Sequence, residues 1–398
     1  MVFDAPRVRG LYVSLSDGWI YLNAPQAQIP EKVYAGLSNA FRTSRTMMRP
    51  EPTSGHHSRS YSAGRTGAQS TEETACRAIA DLLGTRADCV VLGPNRQDLL
   101  IALARSISTR LHRSDVVLSP DPLFEPFARE ANNAIYAQYD LTLGSIPAAQ
   151  FSELVTGATR LVALPAADGL LGVVHDITSI AEITHDRARA WVLADLTDVV
   201  PYRLSSMDEL GIDIAVVDVA GMGGPEVAAL VFRSATMLGR LQRPLEFPTV
   251  SPGLLGGVSP VVDHYAGLNE NASGTRRRRL EIAFEDMSAH MSKVYHHLLE
   301  SLTLQSVHIV GVSGDATELG ALDLDRIPRI SVVLPDVPAA TVHERLASNG
   351  IATVLPLSSP LLEEMGVADA GGAITIGLAP YNSEYDIDQL ARVLASLA

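Results

Sequence analysis

Apolar residues in this chain fall into short runs, and most runs are separated by stretches with helical spacing. The runs at 89–92, 116–119, 134–139, 160–165, 190–195, 212–217 and 228–232 read as buried strands. Strands that are apolar along their whole length, with helices between them, predict a mostly parallel sheet covered on both faces. Helices are predicted at 31–41 after Pro30, and at 97–107 after the turn Gly93-Pro94-Asn95-Arg96. Another is predicted after Ser70-Thr71-Glu72-Glu73, with Ser70 as N-cap, Glu73 closing a capping box and Gly84 as the stop. Between the first two of these segments, residues 42–67 are rich in Ser, Arg, Gly and His and read as a long loop.

Residues 244–260 are dense in Pro and Gly and mark a domain junction. A helix follows at 275–302, where Leu280, Phe284, Met287, Met291, Val294 and Leu298 keep one continuous apolar stripe. The remainder predicts a small α/β domain, with strands at 308–312, 329–334, 352–355 and 373–379 and helices near 339–349 and 383–397. The division expected is an N-terminal segment 1–25 packing near the small domain, a large domain 26–255, and a long helix with the small C-terminal domain over 256–398. No internal repeat is evident.

Composition narrows the function. The net charge of −14 disfavours nucleic acid as a partner, because such binding rests on a basic surface. The run Arg276-Arg277-Arg278-Arg279 is the local exception and reads as a solvated or carboxylate-paired helix face. No apolar stretch reaches the roughly 18 residues of a membrane span, and residues 1–10 lack a signal-peptide core, so a cytoplasmic protein without membrane partners is expected. Cys76 and Cys89 read as reduced thiols. Of the 31 basic side chains only Lys32 and Lys293 are lysines, so any lysine-dependent mechanism is easily audited.

The order of several short motifs carries a resemblance. Tyr21-Leu22-Asn23-Ala24-Pro25, with Ile29-Pro30 beyond it, resembles the "YLDNAA…P" opening of cysteine desulfurases. Tyr381-Asn382-Ser383-Glu384-Tyr385-Asp386-Ile387-Asp388 resembles their "Y-N-t-x-e-E-I-D" signature. Leu171-Gly172 stands at the "N-x-L-G" turn, and Gly223-Gly224-Pro225 at the end of "S-x-H-K-x-x-G-P". Collinear over nearly the whole chain, these segments are similar to the class V aminotransferase and cysteine desulfurase family. That resemblance implies the pyridoxal-phosphate (PLP) transferase fold type I, a large domain on a mostly parallel seven-stranded sheet with a small C-terminal α/β domain, and a homodimer with interfacial sites.

PLP chemistry needs a Schiff-base lysine, a carboxylate on the pyridine nitrogen, a stacked ring, phosphate donors and a group for the substrate carboxylate. By resemblance Asp195 is the pyridine partner, Thr197 takes the next small position, and Asp198 stands where a Gln or His is usual. The phosphate turn would be Asn95-Arg96, at a helix N-terminus where backbone N–H groups favour an anion. Gly221 falls at the lysine position, Ala220 at the preceding histidine, Asp218 at the motif's serine and Thr375 at the substrate arginine. In the segment where the stacking histidine is expected, only Pro126 and Phe127 agree. No cysteine follows Cys89 to serve as a desulfurase nucleophile. His56-His57 with Arg59 reads as a surface pair rather than a metal site, and a catalytic triad or P-loop is absent.

The expectation is a vestigial pocket of Asn95, Arg96, Asp195, Thr197 and Asp198, with no catalytic residue, no metal and no covalent cofactor. The chain would serve as a non-catalytic binding or partner protein, as a homodimer or beside an active paralogue. Two alternatives stay open: an enzyme holding PLP or another phosphate ligand non-covalently in the same cleft, and activity completed by a lysine-bearing partner subunit.

Overall fold

The computed structural model describes residues 3–47, 64–303, 307–312, 325–356 and 359–397. Strands β1 (Ile20–Tyr21), β2 (Val90–Gly93), β3 (Asp115–Leu118), β4 (Asn133–Tyr136), β5 (Thr159–Pro165), β6 (Trp191–Asp195), β7 (Ile214–Asp218) and β8 (Ala228–Phe232) are followed by β9 (His308–Ile309), β10 (Arg329–Val333), β11 (Ile351–Ala352) and β12 (Ile374–Gly377). The longer helices are α1 (Glu31–Thr43), α2 (Gly67–Leu83), α3 (Arg96–Ser106), α4 (Ile177–Arg187), α5 (Val258–Tyr265), α6 (Arg276–Thr303), α7 (Ala339–Ser348) and α8 (Glu384–Ala395).

Seven strands form the central sheet in the order β2-β8-β7-β6-β5-β3-β4, and only β8 runs against its neighbours. Side chains alternate across a strand, and here both faces are apolar. Val162, Val192, Ala194, Ala215 and Val217 join one core with α2, α5 and α6. Leu161, Ala163, Leu193, Ile214 and Val216 join the other, with Leu99 and Leu103 of α3 and with Phe124 and Phe127. Two buried faces explain why the strands read as unbroken apolar runs.

The C-terminal part carries a three-stranded sheet in the order β12-β10-β9, all antiparallel. β11 pairs in parallel with β1, Ile20 opposite Ile351, so the beginning of the chain is tied to its last quarter. The apolar stripe of α6 is buried at Leu280, Phe284, Met287, Met291, Val294 and Leu298, as its spacing predicts.

One helix start differs from the sequence reading. The N-cap of α2 is Thr66, which exchanges bonds with Gln69 in a capping box, so Ser70 and Glu73 lie inside the helix. Both pairs have the box spacing. Arg65 draws Glu73 into an ion pair, leaving it no role at the cap. The arginine run opening α6 is a carboxylate-paired face: Arg276 bonds Asp81 and Asp263, Arg279 lies 3.6 Å from Asp263, and Arg277 and Arg278 meet Glu281.

Candidate active site

Three backbone ends meet at one edge of the central sheet. β6 ends on Asp195, β7 ends on Asp218, and α3 begins just beyond β2. Open α/β sheets place ligands at such an edge, outside the carboxyl ends of the strands. Asn95 is the N-cap of α3: its Oδ1 accepts the Asp98 N–H at 2.8 Å and its amide donates to Asp98 Oδ2 at 2.9 Å. Its side chain is therefore spent on the cap rather than offered to an anion.

Arg96 is the first residue of the helix, and its guanidinium turns into the site. Nη1 donates to Asp195 Oδ2, and Nε lies 4.0 Å from Asp218 Oδ2. The other Asp195 oxygen accepts the Thr197 N–H at 3.0 Å, and Thr197 Oγ1 accepts the Asp218 N–H at 2.9 Å. Asp195 is 4% exposed. Burial pushes its carboxyl above the usual range, and Arg96 and Thr197 pull the other way. Burial likewise raises Asp218, against the Ala220 N–H and Arg96. Burial disfavours the Arg96 charge, yet Asp195 together with Asp198 and Asp218 outweighs it and holds the guanidinium above its ordinary value. Thus the carboxylate assigned to a pyridine nitrogen and the arginine assigned to a phosphate face each other.

A second ion pair lies alongside. Arg329, at the start of β10, is 1% exposed and donates to Asp198 through Nη1. The same nitrogen reaches Gly169 O at 3.2 Å, and Nε donates to Tyr202 Oη at 3.1 Å. Tyr202 donates onward to Leu378 O at 2.9 Å. Burial opposes the Arg329 charge, but Tyr202 and Asp198 more than offset it and raise the guanidinium further. Asp198 is thus the neutralising partner of an arginine from the C-terminal part of the chain.

Arg329 is the side chain of this site that the sequence pattern does not announce. It stood at the edge of an apolar strand, 131 residues from Asp198, and nothing local announces such a pairing. A fully buried arginine requires a partner, so the mostly apolar segment Ile330-Ser331-Val332-Val333-Leu334 directly after it was the available signal.

The turn ahead of Arg329 explains two glycines. The motif position two before Leu171 is Gly169, where a Cβ would come within 2.8 Å of Asp198 Oδ2. The Asp198 carboxylate fills the space that a side chain at 169 would take. Gly172 has φ +75°, and a Cβ there would lie 2.2 Å from the Arg329 carbonyl oxygen. Asp168 closes the turn, accepting the Leu170 and Leu171 N–H groups at 2.9 and 2.7 Å.

Gly221 sits in the short helical turn 219–222 after β7. A Cβ added there would meet Thr197 Cγ2 at 3.4 Å, ordinary contact, so packing does not demand glycine. Beside it is a cavity of about 20 Å³ walled by Gln28, Tyr202, Tyr265 and Tyr381. The next two residues are under tighter constraint. Gly223 has φ +81°, and at Gly224 a Cβ would press on Val219, so the glycines preceding Pro225 are fixed by packing.

The remaining candidates sit elsewhere. Thr375 is fully buried, its Oγ1 2.8 Å from Ser331 Oγ. Phe127 is packed in the core with Phe124 and Leu118 and has no face on the site. Lys32 donates to Asp263 O at 3.4 Å, and Lys293 pairs with Glu384 at 2.9 Å on an exposed face. Burial, with Glu72 and Glu73 nearby, pushes the Cys76 thiol up to about 11, the opposite of an activated thiolate. His56, His57 and Arg59 lie outside the described residues. Among the described residues no group of three or more His, Cys, Asp or Glu could hold a metal ion, and no helix is long and apolar enough to cross a membrane.

Comparison with known proteins places this geometry. A sequence model of the family described as Aminotransferase class-V matches residues 133–250. An uncharacterised protein of Mycobacterium tuberculosis is 34% identical over 417 aligned residues, covering 100% of both chains. An aminotransferase-like protein of Gibberella zeae is 23% identical, covering 83% of this chain and 84% of its own. Among solved structures, a cysteine desulfurase from Thermococcus onnurineus superposes with a TM-score of 0.78 at 16% identity, over 98% of this chain and 97% of that one. The cysteine desulfurase CsdA from Escherichia coli gives 0.76 at 17% identity, over 99% and 98%. At such identities these two show the fold, which is PLP-dependent transferase fold type I.

Proposed function

Because this chain belongs to the class V aminotransferase and cysteine desulfurase-like family, we propose that it keeps the family's fold without its PLP chemistry and works as a non-catalytic binding or partner protein. The family is PLP-dependent, so the first question is whether the residues present fit that cofactor. They do not. Glycine at 221 offers neither an amine for a covalent link nor an acid or base, and neither lysine of the chain bonds within the site.

The observation that carries the proposal is the Arg96–Asp195 pair. A pyridine nitrogen needs a free carboxylate to stabilise its charge. Here that carboxylate is buried and already neutralised by a cation of the same chain. Asn95 is spent on a helix cap and Asp198 on Arg329, which also speaks against a non-covalent phosphate ligand in this cleft. A lysine supplied by a partner subunit would meet the same closed pair. We extend the proposal to a homodimer or an association with an active paralogue, which analytical ultracentrifugation and co-purification can address.

The direct test is incubation of the purified protein with PLP, followed by absorbance at the aldimine band, borohydride reduction and intact mass. The expected outcome is no stoichiometric band and no trapped adduct. One trapped PLP per chain would overturn the proposal.

A further inference from the structure

The opposite edge of the central sheet carries a second cavity. β6 begins there at Trp191 and β8 ends there at Phe232, roughly 13 Å along the strand from Asp195 at 3.3 Å per residue. The cavity measures about 620 Å³. That lies within the range of small-ligand sites, about 300–1,000 Å³. Its lining is basic: Arg110, Arg189, Arg233 and Arg240 all contribute.

These arginines reach it from four separate segments. Arg110 lies on the short helix Ser108–Leu111 after α3, and Arg189 precedes β6. Arg233 follows β8 directly, and Arg240 caps the short helix Ala235–Gly239. The half-buried Arg110 guanidinium stacks on Trp191, 4.2 Å from the ring centroid, and bonds Arg189 O at 3.1 Å. Arg233 has Asp208 at 3.3 Å. Among the described residues, no carboxylate lies within 4.0 Å of Arg110, Arg189 or Arg240. Among the described residues the one carboxylate in the lining is Asp213, whose Oδ2 accepts the Val192 N–H and lies against His185 Nε2, each at 2.9 Å, so the arginines outnumber it four to one.

A chain with net charge −14 has gathered around one cavity three guanidinium groups that have no carboxylate within 4.0 Å among the described residues. A carboxylate occupies one arginine fork. A phosphate monoester, with two charges and three terminal oxygens, can engage several at once. Ile107, Ala190 and Met237 give the cavity an apolar side, and the Arg110–Trp191 stack offers a planar one.

We propose that this cavity is a binding site for a small phosphate monoester whose planar or apolar body packs beside Trp191. It is separate from the Asp195 cleft and does not depend on what that cleft does.

The chain has two tryptophans, so Trp19→Phe leaves Trp191 as the sole reporter. Adenosine monophosphate, adenosine and inorganic phosphate would be titrated against Trp191 fluorescence and, independently, by calorimetry. Adenosine monophosphate should bind, with adenosine about tenfold or more weaker, since one lost charged contact is worth about that. Arg110→Gln should weaken the monophosphate by a similar factor. The exposed Arg240→Gln, which leaves the core untouched, should do the same if Arg110→Gln fails to fold. Inorganic phosphate should compete with the monophosphate. Equal affinity for adenosine and its monophosphate, no binding of either, or binding indifferent to both arginines would overturn the proposal.

Discussion

Asp195 is a buried carboxylate whose charge is met chiefly by one side chain, and that dependence can be measured. Arg96→Met would leave the carboxylate with only the Thr197 N–H and hydroxyl environment around it. Breaking a buried pair from one side costs about 3–5 kcal/mol. Arg96 is itself 31% exposed, which brings the expected loss to about 2–4 kcal/mol. Adding Asp195→Asn removes the stranded charge and should return most of it. Chemical denaturation of the two variants checks this, and a stability change under about 0.5 kcal/mol for Arg96→Met would show that the pair does not hold the site together. At this scale the sequence told only part of the story. Resemblance picked out Asp195, Thr197 and Gly221, and the structure brings Asp195 and Thr197 together. It could not tell which way the Arg96 side chain turns, because a guanidinium at a helix N-terminus can face an anion outside or a carboxylate inside with equal local logic.

Among the elements, the turn 168–172 joins the large sheet to β10. The Ile327 N–H donates to Gly172 O at 2.8 Å, and Val173 bridges to Arg326. Gly172→Ala would place a methyl on the Arg329 carbonyl at a left-handed φ, where L side chains are strained. The expected loss is about 3 kcal/mol or more, since the obstructing atom is backbone and cannot swing away. Faster amide exchange at Ile327 and Arg329 should accompany it; an unchanged exchange pattern would mean the turn does not position Arg329. Elements were the most legible level of this chain. The seven sheet strands lie within a few residues of their apolar runs, because the inner strands are buried on both faces and carry little polar interruption to blur them; the edge strand β4 is the exposed exception. The small domain was read less sharply. The predicted strand 352–355 is only Ile351–Ala352, and what makes it a strand is β1, more than 300 residues away.

At the scale of the whole molecule, stability should fall with acid for a reason that lies in two distant histidines. His175 is 3% exposed, its Nδ1 accepting the Ile146 N–H at 3.2 Å, and burial lowers its pKa to about 4. His264 is 4% exposed, 2.8 Å from the Tyr12 hydroxyl, and burial, with Lys32 and Arg7 adding to it, lowers its pKa to about 3. An unfolded histidine titrates near 6.5. Below that pH the unfolded chain takes up two protons that the folded chain refuses until about pH 4 and about pH 3. The unfolded state therefore binds more protons throughout this window, so stability is full above about pH 7 and drops as pH falls through 6.5. The slope approaches about 1.4 kcal/mol per pH unit for each histidine. The raised carboxyls at Asp168, Asp195 and Asp218 act with the opposite sign, because the folded state holds their protons more tightly than the unfolded one. They begin from the carboxylate range near pH 4 rather than from 6.5. The two contributions separate in the double variant His175→Gln with His264→Gln, which should flatten the fall between pH 6.5 and 5. Urea midpoints at pH 7, 6 and 5 for the parent and the double variant measure it. Parallel curves would place the acid sensitivity of this molecule somewhere other than His175 and His264.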